Sequence, residues 1–123
     1  MKTLKSFLIL CFIGQVGLSG CKASYQGPLK EGDIVFQDLA CSQSEAIKLA
    51  THSPYSHVGM ILFKREQPYV YEAVGPVKFT SLQDWIKQGE GSHFVARRLK
   101  NANMVLTPTV LRKMEEVAKG FKG

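Results

Sequence analysis

Two residues of this chain could hold and pass a proton. His57 stands at the head of the apolar run "SHVGMILF", and Glu72 lies inside the next such run, "YVYEAV". A carboxylate that accepts from one imidazole nitrogen fixes the tautomer and raises the basicity of the other. That is the base and orienter of a catalytic triad, still lacking a nucleophile. The same pair can be a structural hydrogen bond, and the alternation of side chains leaves both readings open. His52 falls in the last turn of a helix, where a cation suits the dipole, and His93 opens a strand, so both read as structural. The three histidines show no close spacing and there is no usable cysteine cluster, so no metal and no cofactor are expected.

Whether the pair meets depends on the turn between the two runs. Strand side chains alternate, which places His57, Gly59, Ile61 and Phe63 on one face. An even loop, either Lys64 to Gln67 or Arg65-Glu66 alone, pairs Phe63 with Pro68 and sets Glu72 opposite Gly59. Glu72 then becomes a diagonal neighbour of His57, with the missing side chain of Gly59 leaving it room to lean. An odd loop sends Glu72 to the other face.

The remaining elements read from local chemistry. "GDIVFQ" gives a strand over Asp33 to Gln37. In "SQSEAIKLATHS", Ser42 and Glu45 form a capping box, and Ala46, Ile47, Leu49 and Ala50 make an apolar stripe. "VKFT" is a short strand, "SLQDWIKQG" a short helix with Trp85 as core anchor, and "HFVARRL" a strand. Thr107, Pro108 and Gly120 cap, start and end a last helix, whose apolar face is Val110, Leu111, Met114, Val117 and Ala118. The class is α+β, an antiparallel sheet with flanking helices.

The first twenty residues form a separate unit. Two lysines, an apolar run from Phe7 to Val16 and small residues before Cys21 make a signal peptide. "LSGC" resembles the bacterial lipobox, so Cys21 is the expected lipidation site, and Lys22 after it favours the outer membrane. Residues 21–30 read as a tether and 31–123 as the folded domain. Without Lys2 and Lys5, fourteen basic residues face ten acidic ones, a net charge of +4. The basic residues are scattered, apart from Arg97-Arg98-Lys100, which excludes a nucleic-acid partner. Cys11 leaves with the leader and Cys21 carries lipid, so Cys41 stays unpaired and no disulfide framework exists. No residue pattern sets the oligomeric state.

"GDIVFQ", "SQSEAIKLAT", "YSHVGM", "VYEAVGPVKFTSLQDWI" and "GEGSHFVARRL", in this order, resemble the YiiX-type permuted papain-like amidases. These are a circularly permuted branch of the NlpC-type cysteine hydrolases, and the resemblance runs from about Leu29 to Gly123. It implies that His57 is the catalytic base and Glu72 its orienter. Tyr55 and Ser56 of the "YSH" motif, with Asp33 of the "GD" turn, are candidate substrate contacts, Asp33 being equally suited to stabilise its turn.

In that family the nucleophilic cysteine follows, in a "YCSE"-like motif beyond a "GKPYD"-like segment. Here the sequence reaches "AKGFKG" about where that segment would begin, and no residue matches the nucleophile. Cys41, just before a helix, is not at the family's nucleophile position. The expectation is therefore an incomplete domain of an exported, lipid-anchored cysteine hydrolase of the cell envelope. Its substrates would be amide bonds of envelope peptides or of N-acyl or lipid amides, and the chain alone would be inactive. The alternative is a lipid-anchored binding module, or an inactive truncated product.

Overall fold

The computed structural model describes residues 27–121. The expected signal peptide, Cys21 and most of the tether lie outside them. The described residues form strands β1 (Ile34–Leu39), β2 (His57–Lys64), β3 (Gln67–Ala73), β4 (Val77–Ser81) and β5 (Gly89–Arg97), with helix α1 (Ser44–Thr51) after β1, α2 (Leu82–Gln88) after β4, and α3 (Ala102–Val105) and α4 (Pro108–Gly120) after β5. The strands form one antiparallel sheet in the order β4-β3-β2-β1-β5, the α+β arrangement expected.

Asp33 stands just outside β1 rather than beginning it, because its buried carboxylate is engaged in the preceding turn. It accepts from Lys30 N at 2.8 Å and from Arg98 through Nε and a terminal nitrogen, each at 2.6 Å. Gly32 stands at φ +83°, and a Cβ there would come within 2.5 Å of Leu106 Cδ1. The left-handed φ is what favours glycine here, since the end of the Leu106 side chain can move aside.

The capping box expected at α1 does not form. Gln43 is the N-cap and makes no side-chain cap bond. The Ser44 hydroxyl is turned to the carbonyl of Leu39, and Glu45 pairs with Lys48 at 2.6 Å. Lys48 also grips Asp38 at 2.7 Å, tying α1 to the end of β1. The cap thus falls one residue after Ser42, and Glu45 is taken by Lys48 within the helix. Its apolar stripe faces outward among the described residues, with Leu49 74% exposed. His52 follows as a left-handed C-cap at φ 50°, a conformation that histidine tolerates better than most residues.

Between β2 and β3 the loop is the two residues Arg65 and Glu66, at φ 48° and 64°. Both left-handed positions match the primed turns whose twist suits a hairpin, although neither residue is a glycine. The loop is even, and the register runs from Lys64↔Gln67 through Phe63↔Pro68 to Met60↔Tyr71.

Ser81 caps α2 by accepting from Asp84 N, and Trp85 is fully buried. Strand β5 begins at Gly89, directly after α2, and not at His93. Its register with β1 shifts between Gln37 and Leu39. Val35, Ile61, Val70, Trp85 and Ala96 form the core on the face that α2 covers. Against the opposite face, α4 is capped by Thr107 and started by Pro108 as expected, and Gly120 is its last residue. Of its apolar face only Ala118 is buried, and a cavity of about 310 Å³ remains between it, Met60 and Tyr71.

Candidate active site

The even loop brings the two chemical residues together. His57 Nε2 lies 2.7 Å from Glu72 Oε2. The His57 side chain is 10% exposed and that of Glu72 is fully buried. Against an ionised carboxylate, which only accepts, a neutral imidazole carries its proton on Nε2 and its lone pair on Nδ1. The imidazole is thereby set with one nitrogen anchored and the other available as a base. Trp85 lies along it, with ring centroids 6.2 Å apart.

The other carboxylate oxygen of Glu72 has its own partners. Thr80 donates its hydroxyl to Oε1, and Lys78 Nζ stands 3.9 Å from the same atom. Sequence reasoning did not single out either residue. Their signal lies in the pairing Val70↔Thr80 and Glu72↔Lys78, which puts both on the face of Glu72 once the β3–β4 register is known. Gly59 acts otherwise than expected. Its clearance is filled by Val70, whose Cγ1 would be 2.2 Å from a Cβ there, with the Tyr71 carbonyl oxygen next at 3.3 Å and Trp85 Nε1 at 3.7 Å.

Of the candidate substrate contacts, Tyr55 and Ser56 line a cavity of about 250 Å³ with His57, Phe36, Ile47 and Val58. The Ser56 hydroxyl donates to Asp38 at 2.8 Å and accepts from Leu39 N at 2.8 Å, so it fixes the chain entering β2. Tyr55 packs on Phe36 with centroids 6.2 Å apart. Asp33 is not brought to this place. It sits four residues along β1 from Gln37, the register partner of His57, a separation of about 13 Å along the strand.

Among the described residues, Cys41 is the free cysteine, and it is exposed. Its Sγ lies 3.1 Å from Ser44 Oγ, not at the imidazole. The Ser44 hydroxyl, then the Gln43 backbone, holds the thiol below its ordinary value of 9.0.

An imidazole held by a buried carboxylate on adjacent antiparallel strands is joined by a direct family match. The model of the permuted papain-like amidase enzymes, YaeF/YiiX, C92 family, covers residues 28–120. The chain belongs to this family. The uncharacterized protein YiiX of Escherichia coli (strain K12) is 47% identical over 92 residues, which are 75% of this chain and 44% of that one. A crystal structure of the metalloprotein yiiX from Escherichia coli O157:H7 superposes with a TM-score of 0.71 at 47% identity, over 76% of this chain and 51% of the other. The chain thus spans about half the length of the relatives it matches. Within the C92 family fold, these residues supply the five-stranded sheet and its helices.

Proposed function

We propose that this chain carries the base and its orienter for a cysteine amidase of the C92 family. The observation that supports it most is the His57–Glu72 pair, with Nε2 held at 2.7 Å by a buried carboxylate and Nδ1 left open. In the reaction, Nδ1 takes the proton of a cysteine thiol, and the thiolate attacks the amide carbonyl carbon. As the C–N bond breaks, the same nitrogen returns its proton to the leaving amine, forming a thioester. Water, deprotonated by Nδ1, then attacks the thioester and releases the acid and the thiol. Glu72 keeps the ring oriented and offsets its charge when it is doubly protonated.

The Cys41 thiol is in hydrogen-bond contact with Ser44, and the scheme assigns it no role. In a chain of the relatives' length, the thiol comes from the part that this one does not span. The leader and "LSGC" support export, with Cys21 lipidated and the protein held on the cell envelope, where amides of envelope peptides and N-acyl or lipid amides are the fitting substrates. Among the described residues, no three His, Cys, Asp or Glu side chains group as a ligand set.

A chimera tests the proposal: residues 28–120 joined to the remaining part of the K12 relative, treated with a cysteine-directed acylating probe. The chimera should label and hydrolyse an N-acyl amide, His57→Ala should lower turnover by roughly 10²–10⁴-fold, and the present chain alone should show none. Full turnover in the His57→Ala chimera would remove the base from the scheme. A second reading, an amide-binding module, is favoured by the cavity of about 250 Å³ that meets His57. Amide binding without turnover by the chimera would select it.

A further inference from the structure

We infer that Thr80 is a positioning residue of this site: its hydroxyl fixes the plane of the Glu72 carboxylate, so that Oε2 holds His57 Nε2 and the imidazole keeps Nδ1 open. The inference rests on the His57–Glu72 reading above and extends it to a third side chain.

A glutamate's last torsion is broad and roughly two-fold, so nothing covalent chooses which oxygen faces the imidazole or how the group is tilted. The choice must come from partners. Oε2 has His57, whose ring is itself to be oriented and cannot supply an independent reference. Lys78 Nζ is 3.9 Å from Oε1, beyond hydrogen-bond length, and its side chain is 39% exposed, so water screens and loosens it. Thr80 is different. It is half-buried, its hydroxyl bonds Oε1 directly, and its branched Cβ makes χ1 stiff. It projects from β4 on the face of Glu72, two pairs along from Glu72↔Lys78. The hydroxyl therefore refers the carboxylate to the β4 backbone. Fully buried, that carboxylate has no water to take the hydroxyl's place.

A residue that only satisfied a buried charge would affect stability and nothing else. Positioning predicts an effect on the tautomer of His57. The full chain, labelled with ¹⁵N-histidine, is followed at neutral pH by long-range ¹H–¹⁵N correlation, with the exposed His52 and His93 as internal references. Wild type should show His57 protonated at Nε2 and bare at Nδ1. Thr80→Val, which keeps the shape and removes the hydroxyl, should mix the tautomers and speed exchange of the Nε2 proton by about tenfold. Thr80→Ser should restore both. A folded Thr80→Val or Thr80→Ala chain that keeps the wild-type tautomer and exchange rate overturns the inference. So does loss of fold in both variants that Thr80→Ser reverses, which would make the role structural only. Glu72→Ala separates the two levels of the argument. If it too leaves the His57 tautomer unchanged, the pair itself fails, and with it the proposed function, whereas a change with Glu72→Ala alone removes only Thr80.

Discussion

On the face of the sheet that carries His57 and Glu72, Val35, Ile61, Val70 and Trp85 have no exposed surface. On the opposite face Leu62 is equally buried, but Val58 is 50% exposed, and the helices there show Leu49 at 74% and Val117 at 50%. The first face is closed by α2, which follows β4 without a loop and drives Trp85 into the sheet. The second meets α1 and α4, which touch it through part of their apolar surface. Apolar burial stabilises in proportion to the area removed from water. The candidate site therefore stands on the face that contributes most, and its imidazole and carboxylate are held against a packed background. Where α1 approaches the sheet, charged and hydroxyl groups do the holding instead: Lys48 with Asp38, and Ser56 with Asp38.

That contrast can be broken by substitution. Trp85→Ala should cost about 3–5 kcal/mol in urea unfolding, since it empties the centre of the packed face. A cost no larger than that of changes on the other face would dissolve the distinction. A smaller, pH-dependent effect is expected at the polar clamp. Hydrogen bonds from Lys48 and Ser56 hold the Asp38 carboxyl below its ordinary 3.8. A carboxyl lowered by folding lends stability that is complete above its unfolded value and lost as the pH falls through its folded one. Asp38→Asn should thus destabilise at neutral pH, and the gap to wild type should close as the pH drops below 3.8. A gap that stays constant down to acid pH would mean the clamp contributes nothing through charge. Smallest of all, Leu49→Ala should shift stability by no more than about 0.5 kcal/mol, because its side chain already faces solvent. A larger loss in the same urea titration would show that α1 buries its stripe after all.

Much of the site was legible because strand alternation is a local rule. Given an even loop, His57 and Glu72 had to share a face, and the Arg65-Glu66 turn is even. Nothing in "KREQ" announces that turn, which lacks the glycine or asparagine that signals left-handed positions. Trp85 as anchor and Thr107-Pro108 as a helix start followed from spacing and capping chemistry. The capping box at Ser42 and Glu45 failed because the cap falls one residue later, on Gln43, and Glu45 pairs with Lys48 within α1. Thr80 escaped notice for a different reason: its importance is a diagonal across two strands.

By itself, then, the order of residues determined which side chains could do chemistry, the α+β class and the face each strand presents, since these depend on period and composition within short windows. Tertiary structure decided that His57 uses Nε2 toward Glu72, that Thr80 holds the far oxygen, and that Asp33 is paired with Arg98 away from the site. Those outcomes depend on register and on which buried polar group finds its partner first, and both are fixed only when strands distant in the chain lie side by side.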